Sequence, residues 1–242
     1  MIIKFLQWNV WYKEKIENIV KTISVINPDI FCLQELTVDS AYNPKINTPK
    51  YLAEKLKVNF YFKEANKTQW ASGNGIFSQF PITHTNCVYI QQSLNAGNDY
   101  SQEGRVYIEA EINLGRDRLL VGTTHASYTH RFIVTKQKKT EIDKLLKGLK
   151  KHKSKFVFSG DLNSRAYSYT IKRISKILKN SGPPLSQNTW TTKPFDYKGF
   201  YEDKLNWRLD YVFATKDIKI ESSKIITTQY SDHLPILVEL RL

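Results

Sequence analysis

The chain has 242 residues, 41% of them hydrophobic, enough to build a core and too many for a disordered segment. No apolar run has the length of a membrane span, and two cysteines, Cys32 and Cys87, do not make a disulfide framework. The 36 Lys and Arg against 23 Asp and Glu leave a net charge of +13, which favours a polyanionic partner such as nucleic acid or an anionic membrane surface, although a lysine-rich composition by itself supplies part of it.

The N-terminus enters Ile2-Ile3-Lys4-Phe5-Leu6 without a basic leader, so no export signal is expected. With the cysteine usage, this predicts an intracellular, cytoplasmic protein, and nothing in the chain indicates an obligate protein partner. Residues 2–9 read as a strand ending at Trp8-Asn9. Ile16, Ile19, Val20, Ile23 and Ile26 predict a helix over 14–26, ended by Asn27-Pro28-Asp29. Residues 30–33 are a short, continuously apolar strand that delivers Gln34-Glu35 at its C-terminal end. Strand, helix, strand is a βαβ-like start.

A short helix is predicted over 48–57, with Pro49 near its start, and a strand over 58–62. Gly73-Asn74-Gly75 leads into Ile76-Phe77-Ser78. Strands are predicted at 84–91, 105–114 and 118–125, the last two joined by a turn at Gly115-Arg116-Asp117. Residues 92–104, with Asn95, Gly97, Asn98 and Gly104, read as an exposed loop. An amphipathic helix over 132–151 turns Ile142, Leu145, Leu146 and Leu149 to the core. Lys136, Lys138, Lys139, Lys144, Lys147, Lys150 and Lys151 are assigned to its solvated face. Phe156-Val157-Phe158 is a buried strand ending at Gly160-Asp161-Leu162-Asn163. Residues 167–180 read as helix, 182–206 as loop, and 209–213, 218–226 and 234–242 as strands. No repeat or linker interrupts the chain. Strands outnumber helices, and the polar candidates come from both halves, so residues 1–242 are expected to form a single domain of two packed sheets with helices outside.

Each of Asn9, Glu35, His125, Asp161, Asn163, Asp210, Asp232 and His233 follows or lies in an apolar run. Taken singly, each has an ordinary structural reading: a cap, a turn, a solvated strand end. Taken together they are hard to dismiss, because charges placed where core strands emerge are costly unless paired or bound. Oxygen donors of this kind suit Mg²⁺ or Mn²⁺; zinc would want more His or Cys. Asp232-His233 adds a hard metal ligand beside a group that moves protons near neutral pH.

The pieces Trp8-Asn9-Val10, Leu33-Gln34-Glu35, Gly73-Asn74-Gly75-Ile76-Phe77-Ser78, Thr123-Thr124-His125, Ser159-Gly160-Asp161-Leu162-Asn163-Ser164, Arg208-Leu209-Asp210-Tyr211 and Ser231-Asp232-His233-Leu234-Pro235 resemble, in order and over nearly the whole chain, the endonuclease/exonuclease/phosphatase superfamily with its deoxyribonuclease-I-like fold. The resemblance implies a four-layer α/β sandwich, two mixed β-sheets flanked by helices, and Mg²⁺-dependent cleavage of a phosphate ester, with Mn²⁺ as the alternative ion. It implies Glu35 as principal metal ligand, Asn9 beside it and Asp232 near the same ion. Asp161 would orient or deprotonate the attacking water and Asn163 would hold a phosphate oxygen. His233 would contact the phosphate and pair with Asp210. His125 would stabilise the transition state or protonate the leaving oxygen, and Asn74 would order the site from the adjacent loop.

Fold does not choose a substrate. Inositol phosphatases carry a Trp-x-Asp-Arg box, whereas here Arg208 precedes Asp210. Abasic-site enzymes continue differently from Val10-Trp11-Tyr12. The Gln-Glu-Leu, Gly-Asp-Leu-Asn-Ser and Ser-Asp-His-Leu-Pro forms resemble the deadenylase and tyrosyl-DNA phosphodiesterase side. The expected substrate is therefore nucleic acid, DNA before RNA, with small phosphoesters or lipid headgroups as the alternative. A binding module without chemistry is a distant third. Arg105 could reach phosphate, although its strand position also fits a structural ion pair; Trp11, Tyr12, Trp70, Tyr128, Trp190 and Trp207 are candidates to stack on bases, with core or loop packing as the alternative for each.

Overall fold

The structure is a computed structural model that describes residues 1–66, 71–94 and 99–242. Trp70 and the loop positions Asn95, Gly97 and Asn98 lie outside the described residues. The first sheet contains β1 (Ile2–Asn9), β2 (Ile30–Ser40), β3 (Asn43–Asn47), β4 (Asn59–Glu64), β5 (Ala71–Ser78), β14 (Lys219–Ile225) and β15 (Ile236–Arg241), in the order β14-β15-β1-β2-β5-β4 with β3 on β2. The second contains β6 (Ile82–Gln91), β7 (Arg105–Asn113), β8 (Arg118–His125), β9 (Phe156–Asp161), β10 (Lys179–Asn180) and β13 (Asp210–Ala214), in the order β10-β13-β9-β8-β7-β6. Helices α1 (Ile16–Ile26) and α2 (Thr48–Leu56) cover the first sheet, and α3 (Lys136–Leu149) and α4 (Tyr169–Ile174) cover the second.

Period-two patterning explains the layers. Along β1, Ile3 and Phe5 face the opposite sheet and join Ile30, Val106, Val121, Val157 and Ile236 in the central core. Leu6 and Trp8 face outward, where Ile16, Ile19 and Ile23 of α1 cover them. Each of those isoleucines contributes about 1.5–3 kcal/mol by leaving water. α1 has no side-chain cap of its own; Asn43 Oδ1 accepts from Ile16 N at 3.0 Å. On the far side Ile142, Leu145, Leu146 and Leu149 of α3 pack on Tyr107, Phe156 and Phe158. The result is helices, sheet, sheet, helices: the expected four-layer sandwich.

Two parallel pairs sit at the centres of the sheets, β1 with β2 and β8 with β9. Their crossovers are α1 and α3, as parallel pairing requires. Register sets Asn9 opposite Gln34, His125 opposite Asp161, and Asp210, on antiparallel β13, opposite the same Asp161. Gly160 permits that packing, since a Cβ there would lie 2.0 Å from Thr124 O.

Several elements depart from expectation. β2 does not stop before Glu35 but runs on to Ser40 through a bulge in which Gln34 and Glu35 face the single residue Asn74. Helix α3 starts at Lys136, because Thr135 caps it, accepting from Lys138 N at 3.1 Å, and Arg131 and Phe132 have left-handed backbones. The helix expected over 167–180 is confined to Tyr169–Ile174, and Lys179–Asn180 is taken up as an edge pair on β13. The region read as loop holds a hairpin, β11 (Phe195–Tyr197) and β12 (Phe200–Glu202), turned by Lys198-Gly199, both with positive φ, the geometry that matches strand twist. Lys138, assigned to the solvated face, is 1% exposed. No helix among the described residues is long and apolar enough to cross a membrane.

Candidate active site

The strand ends of both sheets meet around Asp161. Asn9, at the end of β1, donates from Nδ2 to Glu35 Oε1 (2.9 Å) and Asp161 Oδ2 (3.0 Å), so one amide joins a carboxylate of the first sheet to one of the second. Asp161 Oδ1 accepts from Asn163 N at 2.8 Å. Its Oδ2 lies 3.4 Å from His125 Nε2 and 3.6 Å from His233 Nε2. Asn163 Nδ2 donates to His125 Nε2 and to Ala126 O, both at 3.0 Å. The other ring nitrogen of His233, Nδ1, donates to Asp210 Oδ2 at 2.8 Å.

The backbone aims these groups. Glu35 in the β2 bulge has φ 62°, and Tyr12 N donates to its Oε2 at 3.1 Å. Asn163 (φ 42°) and Ser231 (φ 76°) are also left-handed, a conformation that non-glycine residues adopt only when their surroundings hold them. Ser231 is held at both ends: its Oγ donates to Asn9 O (2.7 Å) and accepts from His233 N (3.0 Å). Trp8 Nε1 donates to His233 O at 2.9 Å.

The electrostatics separate the two histidines. Burial and the neighbouring Arg105 hold His125 well below its ordinary range, so the ring is neutral at pH 7. Burial also works against a charge on His233, but Asp210, then Asp161 and Asp232, more than offset it and raise its pKa well above the ordinary value. Burial raises Asp161 and Asp232 to about 6 each, and raises Glu35. One neutral and one protonated imidazole beside a carboxylate poised near neutrality form an acid–base arrangement.

Donors for a divalent cation are present. Asp232 Oδ2 accepts from Trp190 Nε1 at 3.1 Å, while its Oδ1 is buried with no partner. The Glu35 side chain keeps 19% exposure. Ionised carboxylates that burial disfavours, one with an orphaned oxygen, fit a hard cation. Ligand atoms of Asp161, Asp210 and His233 also lie within 4.8 Å of one another, but a protonated imidazole already sits between those carboxylates, and His must be neutral to ligate a metal.

The remaining predicted residues are placed differently from expectation. Asn74 is not in a loop: it lies buried in β5, where Nδ2 donates across the sandwich to Val106 O at 2.8 Å and Oδ1 has no partner. Arg105 is 4% exposed, and donates from Nη2 to Glu103 Oε2 (2.6 Å) and Tyr100 O (3.2 Å), with Nη1 facing His125 Nδ1 at 3.4 Å. It is enclosed beside a histidine and has no accessible face for a ligand. Trp190 is buried among Phe132, Phe195 and Phe200, and Trp207 packs on Phe132 and bonds Glu202 Oε2, so neither offers a free ring. Their large apolar surface was needed for a satellite core over Leu209. Tyr128 is a buried member of the same cluster. The sequence reading missed that Trp190 holds Asp232, that Ser231 pins the Asp232-His233 turn, and that the Trp11 and Tyr12 amides hold Asn9 and Glu35.

This fold and this set of strand-end acids, amides and imidazoles define a phosphoester hydrolase of the sandwich type. The chain belongs to the endonuclease/exonuclease/phosphatase family, whose profile matches residues 6–233; its enzymes are phosphoester hydrolases that generally depend on divalent metal ions. No curated protein matches the sequence. Among solved structures it is similar to an endonuclease/exonuclease/phosphatase from Beutenbergia cavernae (20% identity, 100% of this chain and 72% of that one, TM-score 0.77). It is also similar to TDP2 of D. rerio complexed with a single-strand DNA product (16%, 100% and 99%, TM-score 0.71) and to a mannosyl-6-phosphatase of Bacteroides thetaiotaomicron (14%, 99% and 100%, TM-score 0.69). At these identities the likeness extends to the fold.

Proposed function

We propose that the protein is a divalent-metal-dependent phosphodiesterase acting on nucleic acid, in the cytoplasm, where its free Cys32 and Cys87 stay reduced. The observation that carries the chemistry is that one buried carboxylate, Asp161, has Asn9 Nδ2 at 3.0 Å and two imidazoles, the neutral His125 and the cationic His233, at 3.4 and 3.6 Å. Glu35 and Asp232 would hold the ion, Mg²⁺ or Mn²⁺, with Asn9 fixing Glu35. The ion supplies Lewis acidity at the phosphate oxygens.

Asp161, raised to about 6 and therefore ionised at neutral pH, orients the attacking water and takes its proton. His233, held protonated by Asp210, presents a full positive charge to the phosphate. Asn163 and His125 also flank Asp161, at its Oδ1 and Oδ2 respectively. His125 is neutral at pH 7 and its Nε2 accepts from Asn163 Nδ2, so it fixes that amide at the site, and His233 rather than His125 is the imidazole with a proton to give the leaving oxygen.

The substrate class rests on charge and on one surface. The +13 balance suits a polyanion. Trp11 and Tyr12, tied by their amides to Asn9 and Glu35, form a half-buried aromatic lip at the metal-binding side. Lys13 Nζ lies 5.6 Å from both rings, and Tyr42 meets Tyr12 edge to face at 5.7 Å. Such a lip stacks a splayed base beside the scissile phosphate. A panel of single- and double-stranded DNA, poly(A) RNA, 5′-tyrosyl DNA, inositol phosphates and sugar phosphates, each with Mg²⁺ and with EDTA, tests the reading. EDTA-sensitive cleavage of a nucleic acid is expected. Turnover confined to inositol or sugar phosphates would overturn the substrate class, and salt-dependent DNA binding with no turnover on any of them would overturn the enzyme.

A further inference from the structure

Helix α3 carries four exposed lysines, at 136, 139, 144 and 147, with Lys150 and Lys151 exposed just beyond its end, and one buried one. Lys138 is 1% exposed and lies beneath the floor of the candidate site. Its Nζ donates to Ser127 O at 2.6 Å and to Leu162 O at 2.9 Å. Ser127 is two residues beyond His125, and Leu162 sits between Asp161 and Asn163. One turn further along α3, Glu141, also 1% exposed, accepts from Ser127 N through Oε1 at 2.9 Å. One face of one helix therefore holds both the N–H and the C=O of Ser127, and reaches across to the neighbouring strand end.

Between those anchors the two strand ends are bonded directly. Ala126 N donates to Asp161 O at 2.8 Å, and Asn163 Nδ2 to Ala126 O at 3.0 Å. Packing does not call for an ammonium here, because Ile142, Leu145, Leu146 and Leu149 already seat α3 on the sheet, and apolar residues in place of buried charges are often neutral or stabilising. The three donors of an ammonium do what no apolar side chain can, satisfying two carbonyls that belong to different strands.

We propose that Lys138, braced by Glu141, is a positioning residue that sets the separation of the His125 and Asp161–Asn163 segments for hydrolysis. The inference rests on the phosphodiesterase reading. Burial lowers the lysine to about 8, with Glu141 and Asp161 opposing the shift, so the cation is present at neutral pH.

The test compares wild type with Lys138→Met, Lys138→Arg and Glu141→Leu. It uses kcat and KM on whichever phosphodiester the wild type cleaves, thermal melting, and hydrogen exchange at the Ala126 and Asn163 amides. Lys138→Met is expected to fold, to lower kcat about 10–100-fold, the usual cost of losing a group that orients a site, and to leave KM within about twofold. Exchange at Ala126 and Asn163 should quicken about tenfold while the β8 amides of Val121 and Thr123 keep their wild-type protection. Lys138→Arg, which keeps charge and donors, should restore most of the turnover. A folded Lys138→Met variant with wild-type kcat and wild-type exchange overturns the proposal, as does a rise in KM at constant kcat. If that variant does not fold, Glu141→Leu releases Ser127 from the other side and is judged by the same three readouts. A wild type that cleaves no phosphodiester defeats the phosphodiesterase reading by itself, and the exchange rates then still decide whether Lys138 holds the two segments.

Discussion

Asp210→Asn removes one charge and keeps the shape of the pair that controls His233. The two side chains are 5% and 0% exposed, with Nδ1 and Oδ2 2.8 Å apart. At a charge-centre separation of about 4 Å and an effective dielectric of about 20, the attraction is about 4 kcal/mol, near three powers of ten in the protonation constant of the ring. Burial disfavours the imidazolium, so without Asp210 the pKa of the ring falls steeply, with only Asp161 and Asp232 left to oppose burial, and its charge on the phosphate is weakened. Turnover at saturating substrate should fall about 10²–10⁴-fold. The stability consequence has a definite sign. His233 has a folded-state pKa above its unfolded value of about 6.5, so the stabilisation is complete below that pH and disappears as pH rises through the folded value. Urea unfolding should therefore separate wild type from Asp210→Asn widely at pH 6 and much less at high pH. A variant with turnover within threefold of wild type, or a stability gap equal at both pH values, would refute the assignment of His233 as a charge held by Asp210.

Three further outcomes follow from the metal-binding side. Glu35→Gln keeps an acceptor for Tyr12 N but loses a ligand charge; it should lower turnover by about 10²-fold or more and abolish the rise in melting temperature on adding Mg²⁺. In wild type that rise should be larger at pH 7.5 than at 5.5, because protons compete for Asp232 below about 6; equal rises at the two pH values would contradict the ligand set. Trp190→Phe preserves ring packing and removes the 3.1 Å bond to Asp232. Titration calorimetry should find Mg²⁺ affinity about tenfold weaker against a stability loss of about 1 kcal/mol; unchanged affinity would show that the indole only fills space.

How much of this could be read from the chain depends on the range of the interaction involved. Apolar periodicity marks α1 and α3, which bury one face, and apolar-rich runs mark β1 and β9, which bury both, because each is a local pattern. The acids, amides and imidazoles are visible because each interrupts an apolar run at a strand end. The β2 bulge at Glu35 is not visible, since it exists only against Asn74 on another strand. Whether Trp190 and Trp207 stack on bases or pack in a core stays open in the sequence, because nothing nearby announces the cluster that encloses them.

The sequence by itself determined which residue types stand where core strands emerge, and with them the family. Only the tertiary structure decided which of two histidines carries a proton and which lysine is buried among carbonyls. Both outcomes depend on desolvation and on charges brought together from distant positions: Asp210 lies 23 residues from His233, and Leu162 lies 24 from Lys138.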